Sequence, residues 1–363
     1  MSKPEEIAIT GKNYFAWPYE EQTQIKHKVL GSYAKIWIAK LGSRSNTLFF
    51  DCHGGCGAYI TQDGCVHYGS SILVKSIADE VNKGRQFKTG VYYCEIKREY
   101  YDNYKEVLKD IGIPKIICFN SSFESVINSA RVSKYYNTFP TLFLVDPFGY
   151  NFEIKYLSEL MRSFGNEIIV NFMFDFINRF ISMPHLEEQF NCFFGSDEWK
   201  KAIPLKGNQR EAVLVNVFKK KLKELTGAKF VFAYRLCYPY KDQTYYYLIH
   251  ATNHIDGITL MKDAFAGINN GRVEYLGNNN DAISLFDLSS YKADDIYDSF
   301  LAKHKANKLS FRSFWLEIVE ATAYTSKDLS EALKKLEAEG KVIVTRVSSK
   351  RGAYKEADTI YVV

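Results

Sequence analysis

From Thr47 to Val145 the chain alternates short apolar runs with amphipathic stretches, and this alternation constrains the fold more than any other feature. The runs at 47–51, 90–96, 116–120 and 141–145 predict strands, and the stretches at 71–83, 100–111 and 123–134 predict helices. A helix between successive strands returns the chain to the same end of a sheet, so the strands lie parallel with helices covering both faces. The expectation is an α/β fold, a doubly wound, mostly parallel Rossmann-like sheet. Upstream, Ile25, Val29, Tyr33, Ile36, Trp37 and Leu41 recur at helical spacing and stop at Gly42. Residues 1–42 are therefore read as an N-terminal helical segment and 43–276 as the α/β domain.

The first strand ends in chemistry. Asp51 closes the apolar run Thr47-Leu48-Phe49-Phe50, and Cys52-His53-Gly54-Gly55-Cys56-Gly57 follows at once. A buried strand that empties into glycines at its carboxyl end makes a ligand-binding turn, because glycine takes positive φ and lets a ligand approach bare backbone. A tight surface turn without ligand has the same composition. Glu95 closes the second strand, where an acid can accept both hydroxyls of a ribose or can merely be solvated. Asp146-Pro147-Phe148-Gly149 ends the fourth strand, where an acid, a carbonyl and an aromatic ring can hold a planar amine. A strand-ending Pro-Gly turn is the alternative.

Cys52, His53, Cys56, Cys65 and His67 lie close together, but their spacing matches neither a zinc ribbon nor a radical-SAM cysteine motif, so no metal is expected. His250 and His254 stand four apart after a run that reads as a strand. They are expected at its end and on the following loop, either as structural residues or in contact with substrate at the open end of the sheet.

With 363 residues, 46% of them hydrophobic, the chain can bury one large core or two smaller ones. Seven scattered cysteines argue for reduced thiols rather than a disulfide framework. The absence of a long apolar run and of a basic-then-apolar leader predicts a cytoplasmic chain without a membrane span. A net charge of +5 permits a nucleic-acid partner without requiring one.

Beyond the polar connector Gly277-Asn278-Asn279-Asn280 the pattern changes. Predicted helices at 294–304, 311–321 and 326–339 precede strands at 342–347 and 358–363, a winged-helix-like domain over 281–363. Lys350 and Arg351 at the tip of its hairpin are candidates for phosphate contact. Glu337, Glu339, Glu356 and Asp358 offset them, so docking to a protein or to a second copy is the competing use.

An acid followed by clustered glycines resembles the first motif of class I S-adenosylmethionine (SAM) methyltransferases more than a dinucleotide fingerprint. Lys26-His27-Lys28, Asp51 with its glycines, Phe139-Pro140-Thr141, Asp146-Pro147-Phe148-Gly149-Tyr150, the stretch 171–179, Tyr247 to His254, Gly257, Met261 and Lys262 resemble, in that order, the three-Cys-motif partner proteins. The resemblance covers most of the chain from about residue 20. It implies a methyltransferase-like fold, SAM as cofactor, and a radical-SAM-like protein with three cysteines as partner; the reaction of the family is unassigned. On this reading SAM lies over Gly54, Gly55 and Gly57 with Asp51 and Glu95, while Asp146, Pro147 and Phe148 hold the acceptor. Lys26, His27, Asn171, His250 and His254 fall on the substrate side. The run from Asp146 to Gly149 also resembles that of tRNA guanine-N2 dimethyltransferases, which implies a nucleobase amine in RNA or DNA. Cys52 and His53 stand where the family has an apolar and an aromatic residue. Alternatives are a non-catalytic accessory partner and a nucleic-acid-binding module with a degenerate SAM pocket.

Overall fold

The computed structural model describes residues 4–9, 12–113, 115–238, 243–266, 273–276, 293–321, 326–347, 354–355 and 357–363. The chain divides into two compact units, 1–273 and 274–363.

The first unit opens with strands β1 (Glu5–Ile9) and β2 (Lys12–Pro18), then helix α1 (Glu21–Leu41). The expected helical N-terminal segment is thus helical only in its second half. The residues before it are strand because Tyr14 and Ala16 are buried while Phe15 and Trp17 alternate with them, a period of two rather than of a helix. Then come β3 (Thr47–Asp51), the hairpin β4 (Ala58–Ile60) and β5 (Val66–Tyr68), α2 (Ser70–Val81), β6 (Thr89–Cys94), α3 (Arg98–Asp110) and β7 (Ile116–Phe119). The single helix expected over 123–134 is two, α4 (Phe123–Ile127) and α5 (Ala130–Tyr136). Ser129 breaks it by capping the second, its side chain accepting from the Val132 amide. Next are β8 (Thr141–Val145), β9 (Glu167–Phe172), α6 (Phe174–Phe180), α7 (Glu187–Phe194), α8 (Gly207–Thr226), β10 (Phe230–Cys237), β11 (Thr244–Thr252) and α9 (Ile255–Ala266).

Among the described residues seven strands of the central sheet lie wholly in the first unit, in the order β10-β11-β9-β8-β3-β6-β7. Strands β9, β8, β3, β6 and β7 are parallel, and β11 returns antiparallel between β9 and β10. This is a doubly wound, mostly parallel Rossmann-like sheet. Strands β3, β8 and β9 are buried at every position, which is why β3 and β8 read as largely apolar runs, while β9 buries Glu167 and Asn171 among its apolar residues.

Alternation along β9 shows how both faces are covered. Glu167 and Asn171 meet groups on or beside α1, whereas Phe172 packs its ring 5.1 Å from Phe218 of α8. Phe193, Phe194, Phe218 and Trp199 extend that second face into an aromatic core. On the first face α1 packs against α2 and α9. A second, four-stranded sheet, β1-β2-β4-β5, joins the N-terminal hairpin to the one that follows the glycine turn. Pattern reasoning misses it, since the two hairpins are joined through a short parallel pairing of Trp17 and Pro18 with Tyr59 and Ile60.

The second unit holds α10 (Ala293–His304), β13 (Lys308–Ser310), α11 (Phe311–Ala321), α12 (Ser326–Ala338), β14 (Val342–Thr345) and β15 (Thr359–Val362), β12 (Val273–Leu276) lying where the chain divides. Its three strands form an antiparallel sheet in the order β13-β15-β14. Lys350 and Arg351, like the connector 277–280, lie outside the described residues. No helix among the described residues is long and apolar enough to cross a membrane.

Candidate functional site

Strand β3 lies between β6 and β8, and the chain leaves it in opposite directions across the sheet, so a crevice opens beyond the carboxyl ends of these strands. Asp51 ends β3, Glu95 follows β6, Asp146 follows β8, and Asn171 is next to last in β9. Helix α1 closes the crevice from one side and contributes Lys26 and His27.

Asp146 is the centre of this arrangement. Lys26 Nζ pairs with its Oδ2, and Asn171 Nδ2 donates to its Oδ1 over 2.5 Å. Burial works against the charge, but the Lys26 ammonium, the Asn171 amide and His53 together hold its pKa below the ordinary carboxylate value. It is an ionised, acceptor-only group with lone pairs to spare.

Four polar atoms around it find no hydrogen-bond partner among the described residues: Asp51 Oδ1, His27 Nε2, His53 Nδ1 and Asn171 Oδ1. Asp51, His27 and His53 each feel the charge of Asp146, so these atoms belong to one neighbourhood. A buried polar atom left unsatisfied costs about 1–3 kcal/mol. Four such atoms gathered round one carboxylate leave hydrogen-bonding capacity that a ligand or water could fill. His27 Nδ1 meets the Tyr19 hydroxyl at 3.1 Å, and burial, with Lys26 beside it, pushes its pKa down to about 3. His53 lies against the rings of Phe123 and Phe152, and burial lowers it to about 4. Both imidazoles are neutral at pH 7.

Asp51 is fully buried, its Oδ2 accepting from the Ser71 amide at 3.1 Å. Burial, with Asp146 nearby, raises its pKa to about 6. The folded state then holds this proton more tightly than the unfolded chain, so its contribution to stability is present below pH 4 and is lost as pH rises through 6. Asp51→Asn is expected to flatten that slope and to stabilise the protein at pH 7 by about 1–3 kcal/mol, measured by urea denaturation from pH 4 to 7. A less stable variant at pH 7 would refute the desolvation argument.

The glycine turn divides its labour. Gly55 and Gly57 have φ of +64° and +80°, whereas Gly54 is required by contact: a Cβ there would fall 2.1 Å from Tyr93 Cε2. Tyr93 stacks on Tyr104 with centroids 3.6 Å apart, and its hydroxyl donates to the Gly55 carbonyl at 2.5 Å. Glu95 accepts from the Gly55 amide at 3.0 Å and the Lys97 amide at 2.7 Å, so its carboxylate first serves the turn itself. Asn103 donates from one amide to the carbonyls of Phe15 and Cys56, which fastens β2 over this turn.

The histidines expected at the open end are elsewhere. His250 lies inside β11 opposite Ile169, fully buried, with Nε2 at 2.8 Å from Glu167 and Tyr33 bonded to the same carboxylate. Because β11 is antiparallel to β9, the end of β11 lies near the amino ends of the parallel strands. His254 therefore follows at the far end of the sheet, its ring edge-on to Phe164 at 4.9 Å. The direction of β11 takes both away from the crevice. The thiols of Cys52 and Cys56 are buried, donating to the carbonyls of Phe50 and Ala58, and burial pushes Cys56 up to about 11. Among the described residues no three His, Cys, Asp or Glu side chains form a group that could hold a metal ion.

Trp17, Tyr19, Tyr59 and Asn103 join the site without having been singled out from the sequence. The aromatic run Tyr14-Phe15-Ala16-Trp17 is the signal that marks the strand carrying Trp17, whereas Tyr59 lies on β4 and Asn103 on α3.

No family model matches the chain, and no curated protein matches it. Among solved structures it is similar to a Legionella pneumophila protein of family DUF519, with 12% identity, 68% of this chain and 95% of that one covered, and a TM-score of 0.40. It is similar also to M. jannaschii TYW2 in complex with AdoMet, with 10% identity, 69% and 86% covered, and a TM-score of 0.34. A third is an rRNA methylase from Streptococcus thermophilus, with 9% identity, 61% and 94% covered, and a TM-score of 0.28. At scores this low none of these likenesses carries an argument about activity.

Proposed function

We propose that this chain is a SAM-dependent methyltransferase acting on an exocyclic amine of a nucleobase in nucleic acid. The observation that carries the reading is the ionised Asp146, ringed by unpartnered polar atoms, at the point where the strand order of a Rossmann-like methyltransferase sheet reverses. The residues present fit SAM. Asp51 Oδ1 is a buried acceptor without a donor, suited to an ammonium group, and Gly55 presents bare backbone with no atom nearer than Trp17 Nε1 at 3.9 Å from its Cβ position. Glu95, beside it, keeps acceptor capacity for ribose hydroxyls after its two amide bonds.

When bound, SAM supplies an electrophilic methyl group on a sulfonium leaving group. The chain's own residues have then mainly to orient the acceptor. Asp146 accepts an amine N–H on a remaining lone pair, the Pro147 carbonyl takes a second, and Phe148 faces the ring. Lys26 makes Asp146 a weaker base and so a positioning acceptor. Isothermal calorimetry with SAM and S-adenosylhomocysteine tests the reading: saturable, mutually competitive heats are expected, and silence with both ligands would sink it.

One observation favours a second reading. Glu95 and Tyr93 close upon the glycine turn from within the chain, as they would in a scaffold that keeps the fold without the chemistry. Such a protein would be an accessory partner of a radical-SAM-like three-Cys-motif protein, which the sequence resemblance supports. In the second unit, helix, strand, two helices and a strand pair follow the order of a winged helix, which supports a nucleic-acid or protein contact there.

A further inference from the structure

A cleft of about 480 Å³ opens at the other end of the sheet, among the amino ends of the parallel strands. The turn into β3 lines it with Arg44 and Ser45, the loop into β9 with Arg162, Ser163 and Phe164, and the chain after α5 with Thr138. Strand β8 separates it from Asp146 by about 20 Å, at roughly 3.3 Å per residue. A volume of this order holds one small ligand.

Its walls are fixed. Asn166, 1% exposed, accepts from the Thr141 amide and donates to the carbonyls of Tyr136 and Leu160, which ties β8, α5 and the loop together. Gly165, at φ +78°, lets the loop close on Pro140, where a Cβ would fall 2.9 Å from the Pro140 Cβ. The amides of Arg44 and Ser45 both donate to the Leu41 carbonyl at the end of α1.

The cleft is cationic. No carboxylate lines it. Carbonyls at the helix ends beside it are occupied, Leu41 by those two amides, Tyr135 by the amides of Thr138 and Phe139, and Lys134 by the Thr138 hydroxyl. Arg162 pairs through Nη1 with Glu159, and the Arg44 guanidinium has no hydrogen-bond or ionic partner among the described residues. Phe164 is 76% exposed, more than any other large apolar side chain described, and His254 touches its ring at 4.9 Å.

We infer that this cleft binds a nucleotide, with the phosphate on Arg44 and Arg162 and the base on the ring of Phe164. A guanidinium grips phosphate with parallel N–H donors, and Arg162 keeps donors to spare after its bond to Glu159. The hydroxyls of Ser45, Thr138 and Ser163 donate within the chain, to Asn46, Lys134 and Asn137, so each turns lone pairs to ribose hydroxyls. Every base has a π-face for Phe164 to stack on. The site does not depend on the crevice or on SAM. A free nucleotide and the phosphorylated end of a single strand bring the same chemistry.

The experiment is isothermal calorimetry on the full chain with AMP, adenosine and inorganic phosphate, in excess S-adenosylhomocysteine to keep AMP out of the crevice. Arg44→Ala, Arg44→Lys, Phe164→Ala and Phe164→Tyr replace exposed side chains, so these variants stay folded. AMP is expected to bind saturably and at least tenfold more tightly than adenosine or phosphate. Arg44→Ala should weaken AMP by about tenfold to a hundredfold, the loss of a charge-assisted bond, and Arg44→Lys should recover only part because an ammonium is not bidentate. Phe164→Ala should cost about tenfold, and Phe164→Tyr should stay within about threefold. Oligoadenylate with a 5′ phosphate distinguishes the sources: displacement of AMP at higher affinity assigns the cleft to the end of a strand, and weaker or equal competition assigns it to the free nucleotide. Adenosine or phosphate bound as tightly as AMP, AMP affinity unchanged in both alanine variants, or no heat with AMP overturns the site.

Discussion

Asp146→Ala is expected to lower methyl transfer by about a hundredfold or more and to destabilise the fold by about 3 kcal/mol, two effects with one cause. The substitution removes the acceptor that orients the amine, and it leaves the Lys26 ammonium, 9% exposed, without its counter-ion. Lys26→Met should destabilise by a similar amount through the carboxylate left behind. The double variant Lys26→Met with Asp146→Asn is the informative one, since replacing both charges removes the desolvation problem. It should recover most of the stability in urea denaturation while transfer of labelled methyl from SAM stays lost. Recovery of both would show that Asp146 acts only through folding. A collapse of SAM affinity in Asp146→Ala, with the fold intact, would move Asp146 into the cofactor site.

Gly54→Val is expected to cost more than about 4 kcal/mol, and to lose SAM binding because the turn is lost rather than because a ligand is blocked. A Cβ at Gly54 would lie 2.1 Å and 2.2 Å from two ring atoms of Tyr93, and Tyr93 has no room to retreat from its stack on Tyr104. Reading the turn from sequence alone would make Gly54 the place to obstruct the ligand; the packing makes it the wrong place. Gly55→Ala is the clean probe. Its Cβ meets only Trp17 Nε1, at 3.9 Å, and its φ of +64° costs about 1–2 kcal/mol in a non-glycine residue. This variant should melt as a folded protein and lose at least tenfold in SAM affinity by calorimetry. Unchanged affinity there would mean that no ligand approaches the turn backbone.

Much of this architecture was legible before any coordinates. Parallel strands buried on both faces must be apolar throughout, so β3 and β8 announce themselves, and an acid at the end of such a run marks the carboxyl edge where ligands of this sheet bind. Asp51 and Asp146 were found in that way. The N-terminal strands were hidden because a helical pattern followed immediately and their partner, β4, is only three residues long. The helix expected over 123–134 proved to be two because a serine cap interrupts a periodicity that otherwise continues. His250 was expected at the end of its strand, and β11 continues two residues beyond it to Thr252, running antiparallel to β9.

The sequence by itself determined the local terms: which segments are strands of a parallel sheet, which acids end them, and where glycine frees the turn. Those follow from periodicity and from steric rules that act over a few residues. Only the tertiary structure decided which of these groups meet. Lys26 reaches Asp146 across 120 positions of chain, Trp17 comes beside Gly55 through a two-residue strand pairing, and His250 turns to Glu167 instead of to the crevice. Each of these depends on strand order and direction and on the seat of α1 against the sheet, which are set by the burial of the whole core and leave no mark in any one stretch of sequence.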